Sequence, residues 1–270
     1  MDSLGADPRM TEGSGPVDHA REVGVVSGVV KGRRRWIVAA VVGAAVVAGN
    51  LVRRSARRRC VPTDSPADVG FMRALHSALR RDLSRLQAVA GQLDGSTPAP
   101  PTVLAGWDAF RSQLDNHHGS EDDDLWPVLR RKLADPAELA TVDTMVEEHR
   151  QIPAALADVD AALRAGGDLM TPVERLSTVV RDHLEHEERE VLPLLERYLT
   201  RAEWRAFLLT ERGRRSPRER PEFLTWILDD ADGQDAVAVL AEMPPPARLV
   251  YRRVLRPRYE AQHRWQISRS

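Results

Sequence analysis

Residues 117–127 read HHGSEDDDLWP, and residues 183–193, 66 positions further on, read HLEHEEREVLP. Sliding one onto the other places His117 on His183, Glu121 on Glu187, Leu125 on Val191 and Pro127 on Pro193. The register extends backwards, with Trp107 on Val173, Phe110 on Leu176 and Leu114 on Val180. A second shift, of 73 residues, carries Met72 onto Met145, His76 onto His149, Leu79 onto Ile152 and Leu83 onto Leu156. The chain therefore holds an internal repeat. Each half offers one lone histidine and one His-x-x-x-Glu pair on successive amphipathic helices. Two halves about a pseudo-twofold axis bring four imidazoles and two carboxylates together.

These six residues stand within apolar stripes and not on polar faces. His117 follows Leu114 by three, Glu121 precedes Leu125 by four, and His149 lies between Met145 and Ile152. Residues i and i+4 share a face of a helix, so each His-x-x-x-Glu pair aims a nitrogen and a carboxylate at one centre. Burying such groups is costly unless they pair or bind a metal. His76, His117, Glu121, His149, His183 and Glu187 are accordingly the candidate metal ligands. Imidazole and carboxylate without thiolate suit iron or manganese better than a soft metal. His118 and His186 have repeat counterparts Leu184 and Ser120, so the symmetry assigns both to supporting or surface positions. Asp122–Asp124 and Glu188–Glu190 read as a largely solvated face.

Four helices carry these residues. The first begins near Pro66 behind Asp64 and Ser65, and its apolar stripe is Met72, Leu75, Leu79, Leu83 and Leu86. A Gly/Pro-rich break at 95–101 precedes the second helix. Asp135-Pro136 marks the next turn, and Gly166-Gly167 ends the third helix. Thr171-Pro172-Val173-Glu174 reads as a capping box for the fourth. Short connections predict an all-α, up-and-down four-helix bundle over residues 66–200. Residues 201–270 read as an extension of three short helices without a catalytic constellation.

Composition agrees with a helical protein: 42% of residues are apolar and 29% charged, with four Phe and three Tyr. Thirty-nine basic residues nearly cancel forty acidic ones, which leaves no overall footprint for nucleic acid. Cys60 is the single cysteine, so a disulfide framework and a multi-cysteine zinc site are both excluded. Residues 1–35 read as a disordered segment. The apolar run 36–52 follows the basic run 31–35 and precedes five Arg in the linker 53–65. At the short limit for spanning a bilayer, it is expected to be a single-pass anchor that leaves the bundle in the cytoplasm. A hydrophobic helix of a soluble cytoplasmic protein is the alternative.

On His76, on HHGSEDDDLWP, on Glu148-His149 and on HLEHEEREVLP, residues 68–200 resemble the hemerythrin-like, or HHE cation-binding, family. The resemblance implies two non-haem irons bridged by carboxylates, with His76, His117, His149 and His183 as terminal ligands and Glu121 and Glu187 as bridges. Met145 stands where the oxygen-carrying hemerythrins have a further histidine, and Glu187 follows His183 by four; the pattern is similar to bacterial members. The function expected from it is binding or sensing of oxygen, nitric oxide or peroxide. A peroxide- or nitric-oxide-consuming enzyme and an iron-buffering or structural bundle are the alternatives.

Overall fold

The computed structural model describes residues 65–241 and 243–267. Within them the protein is all-helical, and its centre is the expected up-and-down four-helix bundle. Helix α1 is Gly70–Ala90, and α2, Pro101–Ser120, continues through a π-turn, Glu121–Leu125, into α3, Trp126–Arg130. Helix α4 is Pro136–Ala165; α5, Met170–His186, continues through a second π-turn, Glu187–Val191, into α6, Leu192–Tyr198. α1 packs on α2 and α5, and α4 packs on the same two helices, which closes the bundle.

The helix ends follow local chemistry. The Asp135 carboxylate accepts a hydrogen bond from the Ala137 backbone N–H at 2.8 Å, and Pro136 needs no donor at the first helical position. Gly166 ends α4 with φ +82°. Gly95, at φ +71°, lies so close to Gly167 that a Cβ there would collide with the Gly167 carbonyl. The backbone N–H of Gly167 donates to the Gly95 carbonyl at 2.7 Å, joining two of the bundle's loops.

Two expected starts are corrected. α1 begins at Gly70, not near Pro66, because residues 65–67 are extended and bond to 199–201. α5 begins at Met170, so Thr171–Glu174 is no capping box; Asp168 instead accepts from the Met170 backbone N–H at 3.1 Å. A capping box does occur at Thr200 and Glu203, opening α7.

The core forms two apolar layers. One gathers Leu75, Leu79, Leu83, Phe110, Leu114, Ile152, Leu156, Val180 and Leu184. The other gathers Met72, Leu125, Trp126, Met145 and Val191. On every bundle helix the candidate ligands fall between residues of one layer and residues of the other. A buried polar layer thus separates two hydrophobic ones.

Beyond the bundle the chain forms α7, Arg201–Arg214; α8, Glu219–Ile227; α9, Gly233–Ala241; α10, Pro245–Val250; a third π-turn, Tyr251–Leu255; and α11, Arg256–Glu260. That is more than the three helices expected. The extension packs on α1, where Trp226 is buried and its indole N–H donates to the Asp82 carboxylate at 2.7 Å. Arg85 holds Asp229 at 2.6 Å beside it. Among the described residues no helix is long and apolar enough to cross a membrane. The expected disordered segment 1–35, the anchor 36–52 and all of the linker but Ser65 lie outside the described residues.

Candidate metal centre

The π-turns set the phase of the site. In an α-helix the Pro127 nitrogen would face the carbonyl of Asp123, but proline has no N–H and its ring collides there. The helix widens by one residue, and the Trp126 N–H bonds to the Glu121 carbonyl. Pro193 does the same in the other half, where the Leu192 N–H bonds to the Glu187 carbonyl. Each widened turn opens at a candidate ligand glutamate.

All six expected residues are buried and adjacent, divided between two groups. His76, His117, Glu121 and Glu187 form one, with a ligand atom of each within 4.8 Å of the others. His149 and His183 form the other, together with His118. Nε2 of His76 lies 3.2 Å from Nε2 of His117 and 3.1 Å from Glu187 Oε2. Nε2 of His149 lies 3.2 Å from Nε2 of His183. Glu121 reaches both groups, with Oε1 3.2 Å from His117 Nδ1 and Oε2 3.5 Å from His149 Nε2.

Three carboxylates orient the imidazoles from outside. Nδ1 of His76 donates to Glu188 at 2.8 Å, and Nδ1 of His149 donates to Asp122 at 2.9 Å. Asp122 and Glu188 are themselves repeat partners, so this relation obeys the pseudo-twofold. Nδ1 of His183 donates to Glu148 at 2.9 Å, and Glu148 also accepts from His186 at 2.7 Å. An imidazole that donates through Nδ1 turns the Nε2 lone pair inward, the arrangement a metal site needs.

The solvated reading of the acidic runs is therefore corrected for Glu188, which is half-buried; Asp122 is exposed as read, yet its carboxylate also orients His149. Asp123 is exposed, as read, and Asp124 is half-buried; Arg214 of α7 holds them at 2.9 and 2.7 Å. His186 lies outside the site, against Glu148, as the repeat placed it. His118 does not: it is buried, and its ring stacks on His149 with centroids 4.2 Å apart. The sequence pattern carries a signal for this burial. Residue 118 falls four after Leu114 and seven before Leu125, on the inward stripe, and its counterpart Leu184 is fully buried.

The electrostatics suit a cation. Neither oxygen of Glu121 or Glu187, nor Nε2 of His118, has a hydrogen-bond partner, though all are buried. Burial, then the charge of Glu187, pushes the Glu121 carboxyl well up. Burial also works against the charge of Glu187, but His76 outweighs it and holds that carboxyl down. His117 and His118 are pushed well down by burial and then by neighbouring imidazoles, which keeps them neutral, the form that binds metal. Four orphaned carboxylate oxygens and paired inward nitrogens are expensive in a dry layer, and a multivalent cation answers them all.

An all-α bundle with a buried His/carboxylate layer of this kind defines a cation-binding helical protein. Residues 67–195 match the model of the hemerythrin HHE cation-binding domain. Neither the curated proteins nor the solved structures yield a match.

Proposed function

We propose that the domain holds two iron ions and binds or senses oxygen, nitric oxide or peroxide there. His76 and His117 would hold one ion and His149 and His183, joined by His118, the other, with Glu121 and Glu187 supplying carboxylate ligands between them. The observation that carries this reading is the set of buried carboxylate oxygens without hydrogen-bond partners, flanked by imidazoles whose outer nitrogens are already committed to carboxylates. Bound iron supplies a redox-active centre with a coordination position for a small ligand. The protein's own contribution is orientation and dryness. Asp122, Glu148 and Glu188 fix the ring tautomers, and the two apolar layers exclude bulk water.

The test is metal analysis of the full chain, followed by absorption spectra of the ferrous form before and after oxygen, nitric oxide or peroxide. Two irons and a ligand-dependent spectrum are expected. Turnover of peroxide or nitric oxide would make the protein an enzyme. Iron without any spectral response would make it a buffer, and absence of bound iron would end the reading.

We further propose that residues 36–52 tether the domain to a membrane, supported by the apolar run between Arg clusters. Fractionation of the full chain beside one starting at Asp64 tests this. The full chain is expected with membranes and the shortened chain in the supernatant; recovery of both in the supernatant removes the anchor.

A further inference from the structure

Helix α10, the third π-turn and α11 run without a break from Pro245 to Glu260. Pro257 stands two residues past this π-turn, just as Pro127 and Pro193 stand past theirs, but no ligand residue accompanies it. The stretch has two unlike faces. Tyr251 and Tyr259 are buried against the rest of the protein, and Val254 and Leu255 are half-buried. Leu249, Arg252, Arg253, Arg256 and Arg258 are exposed, Leu249 to 58%.

Arginines on a protein surface normally find carboxylates nearby. Arg256 finds Glu260, at 2.7 Å. Among the described residues, Arg252, Arg253 and Arg258 make no ion pair or hydrogen bond to a carboxylate. Several acids of the extension are engaged elsewhere: Asp229 and Asp230 with Arg85, Glu211 with Arg215, and Glu222 with Arg264. A chain whose formal charge is only −1 thus concentrates uncompensated positive charge beside a bare aliphatic side chain.

We propose that this outer face of residues 249–258 docks on an anionic phospholipid surface. The guanidinium groups match lipid phosphates and carboxylates, the arginine stems lie along the interface, and Leu249 enters the acyl boundary. Nucleic acid fits less well, because both tyrosines of the stretch are buried and no aromatic ring is left there for stacking on bases. The sequence also supplies a way to reach a bilayer. From Arg53 to Val69 the chain spans at most about 60 Å, so an anchor at 36–52 would keep the domain close to the surface. The inference leans on the proposed tether for this proximity, although the basic face is independent of it.

The test places an environment-sensitive dye on Leu249→Cys in the full chain carrying Cys60→Ser. Two vesicle types are compared, pure phosphatidylcholine and a mixture with about one-third phosphatidylserine. The dye is expected to shift to the blue on the anionic vesicles alone, and to lose the shift at high salt. Arg252→Glu, Arg253→Glu and Arg258→Glu together should weaken the response by about a hundredfold. These positions are exposed, so the circular dichroism of the triple variant should match the parent. Flotation of the chain with neutral vesicles reports the apolar run separately. A chain that floats only with anionic vesicles, in an arginine-dependent way, would remove the anchor while supporting the docking face. Equal dye response on both vesicle types, or a shift with an oligonucleotide and none with vesicles, would overturn the proposal.

Discussion

His118 stacks on His149 with ring centroids 4.2 Å apart and planes 19° from parallel, and its Nε2 has no hydrogen-bond partner. The corresponding position in the other half of the bundle is Leu184, an ordinary core residue. The repeat is therefore symmetric in shape and asymmetric in chemistry, with three imidazoles in one group and two in the other.

Replacing His118 by its own counterpart tests this directly. In His118→Leu, iron is expected to fall from two per chain towards one, while the metal-free protein stays as stable or gains about 1 kcal/mol from losing a buried, unpartnered nitrogen. Glu121→Ala and Glu187→Ala should each lose at least one iron, measured by elemental analysis after gel filtration. Two irons retained in both glutamate variants would refute the ligand assignment, and two in His118→Leu would take His118 out of it. Ligation needs neutral imidazole, and although burial pushes the His76 imidazole down, Glu187 and Glu188 outweigh this and hold it above its ordinary value. Iron affinity of the parent should therefore fall as pH drops through the ordinary imidazole range.

The outer carboxylates give a graded version of the same experiment. Asp122→Asn and Glu188→Gln keep size and hydrogen-bonding reach but remove the charge that orients His149 and His76. Metal affinity should fall about 10- to 100-fold in each, without loss of helix content. Competition against a chromogenic chelator measures it; affinities equal to the parent's would mean that the tautomers are set elsewhere.

Acid stability should depend on two carboxylates that titrate far below their ordinary value of 4.5. Partial burial raises the Glu188 carboxyl, but His76 and Arg80 outweigh this and hold it down at about 2. Lys132 and the Thr200 backbone N–H hold Glu203 at about 2. Because the folded values are depressed, the stabilisation is complete above about pH 4.5 and lost as pH falls through about 2. For metal-free protein, urea midpoints between pH 6 and pH 2.5 should fall less steeply in Glu188→Gln and Glu203→Gln than in the parent. The difference should be about 1 kcal/mol for Glu188 and less for the more exposed Glu203. Identical pH profiles would show that these contacts do not form in solution.

Gly106 reports on how the extension is held. The Trp265 ring packs where a Cβ on Gly106 would sit, and the Trp265 backbone N–H donates to the Thr102 carbonyl at 3.0 Å. Gly106→Ala should therefore displace Trp265 and cost about 1–3 kcal/mol, despite alanine's better helix propensity. Thermal unfolding and quenching of tryptophan emission measure the two effects. A raised melting temperature would show that Trp265 does not dock there.

The helices, their inward stripes and six of the seven clustered side chains were legible in the sequence, because helical geometry is local. Spacings of three, four and seven residues fix which side chains share a face, and a repeat carries one half's face onto the other. Which carboxylate meets which imidazole was not legible, since Asp122–His149, Glu148–His183 and Glu188–His76 each cross between helices. The π-turns were half-legible: Pro127 and Pro193 were visible as repeat partners, but the bonds that widen each turn belong to the folded backbone. The burial of His118 against His149 was not legible from the symmetry, which pairs it with Leu184, but follows from its own position on the inward stripe. The docking of the extension, from Trp226 on Asp82 to Arg214 on Asp123 and Asp124, was decided by tertiary structure alone. Periodicity tells a chain which face to bury, whereas only packing selects the surface that covers it.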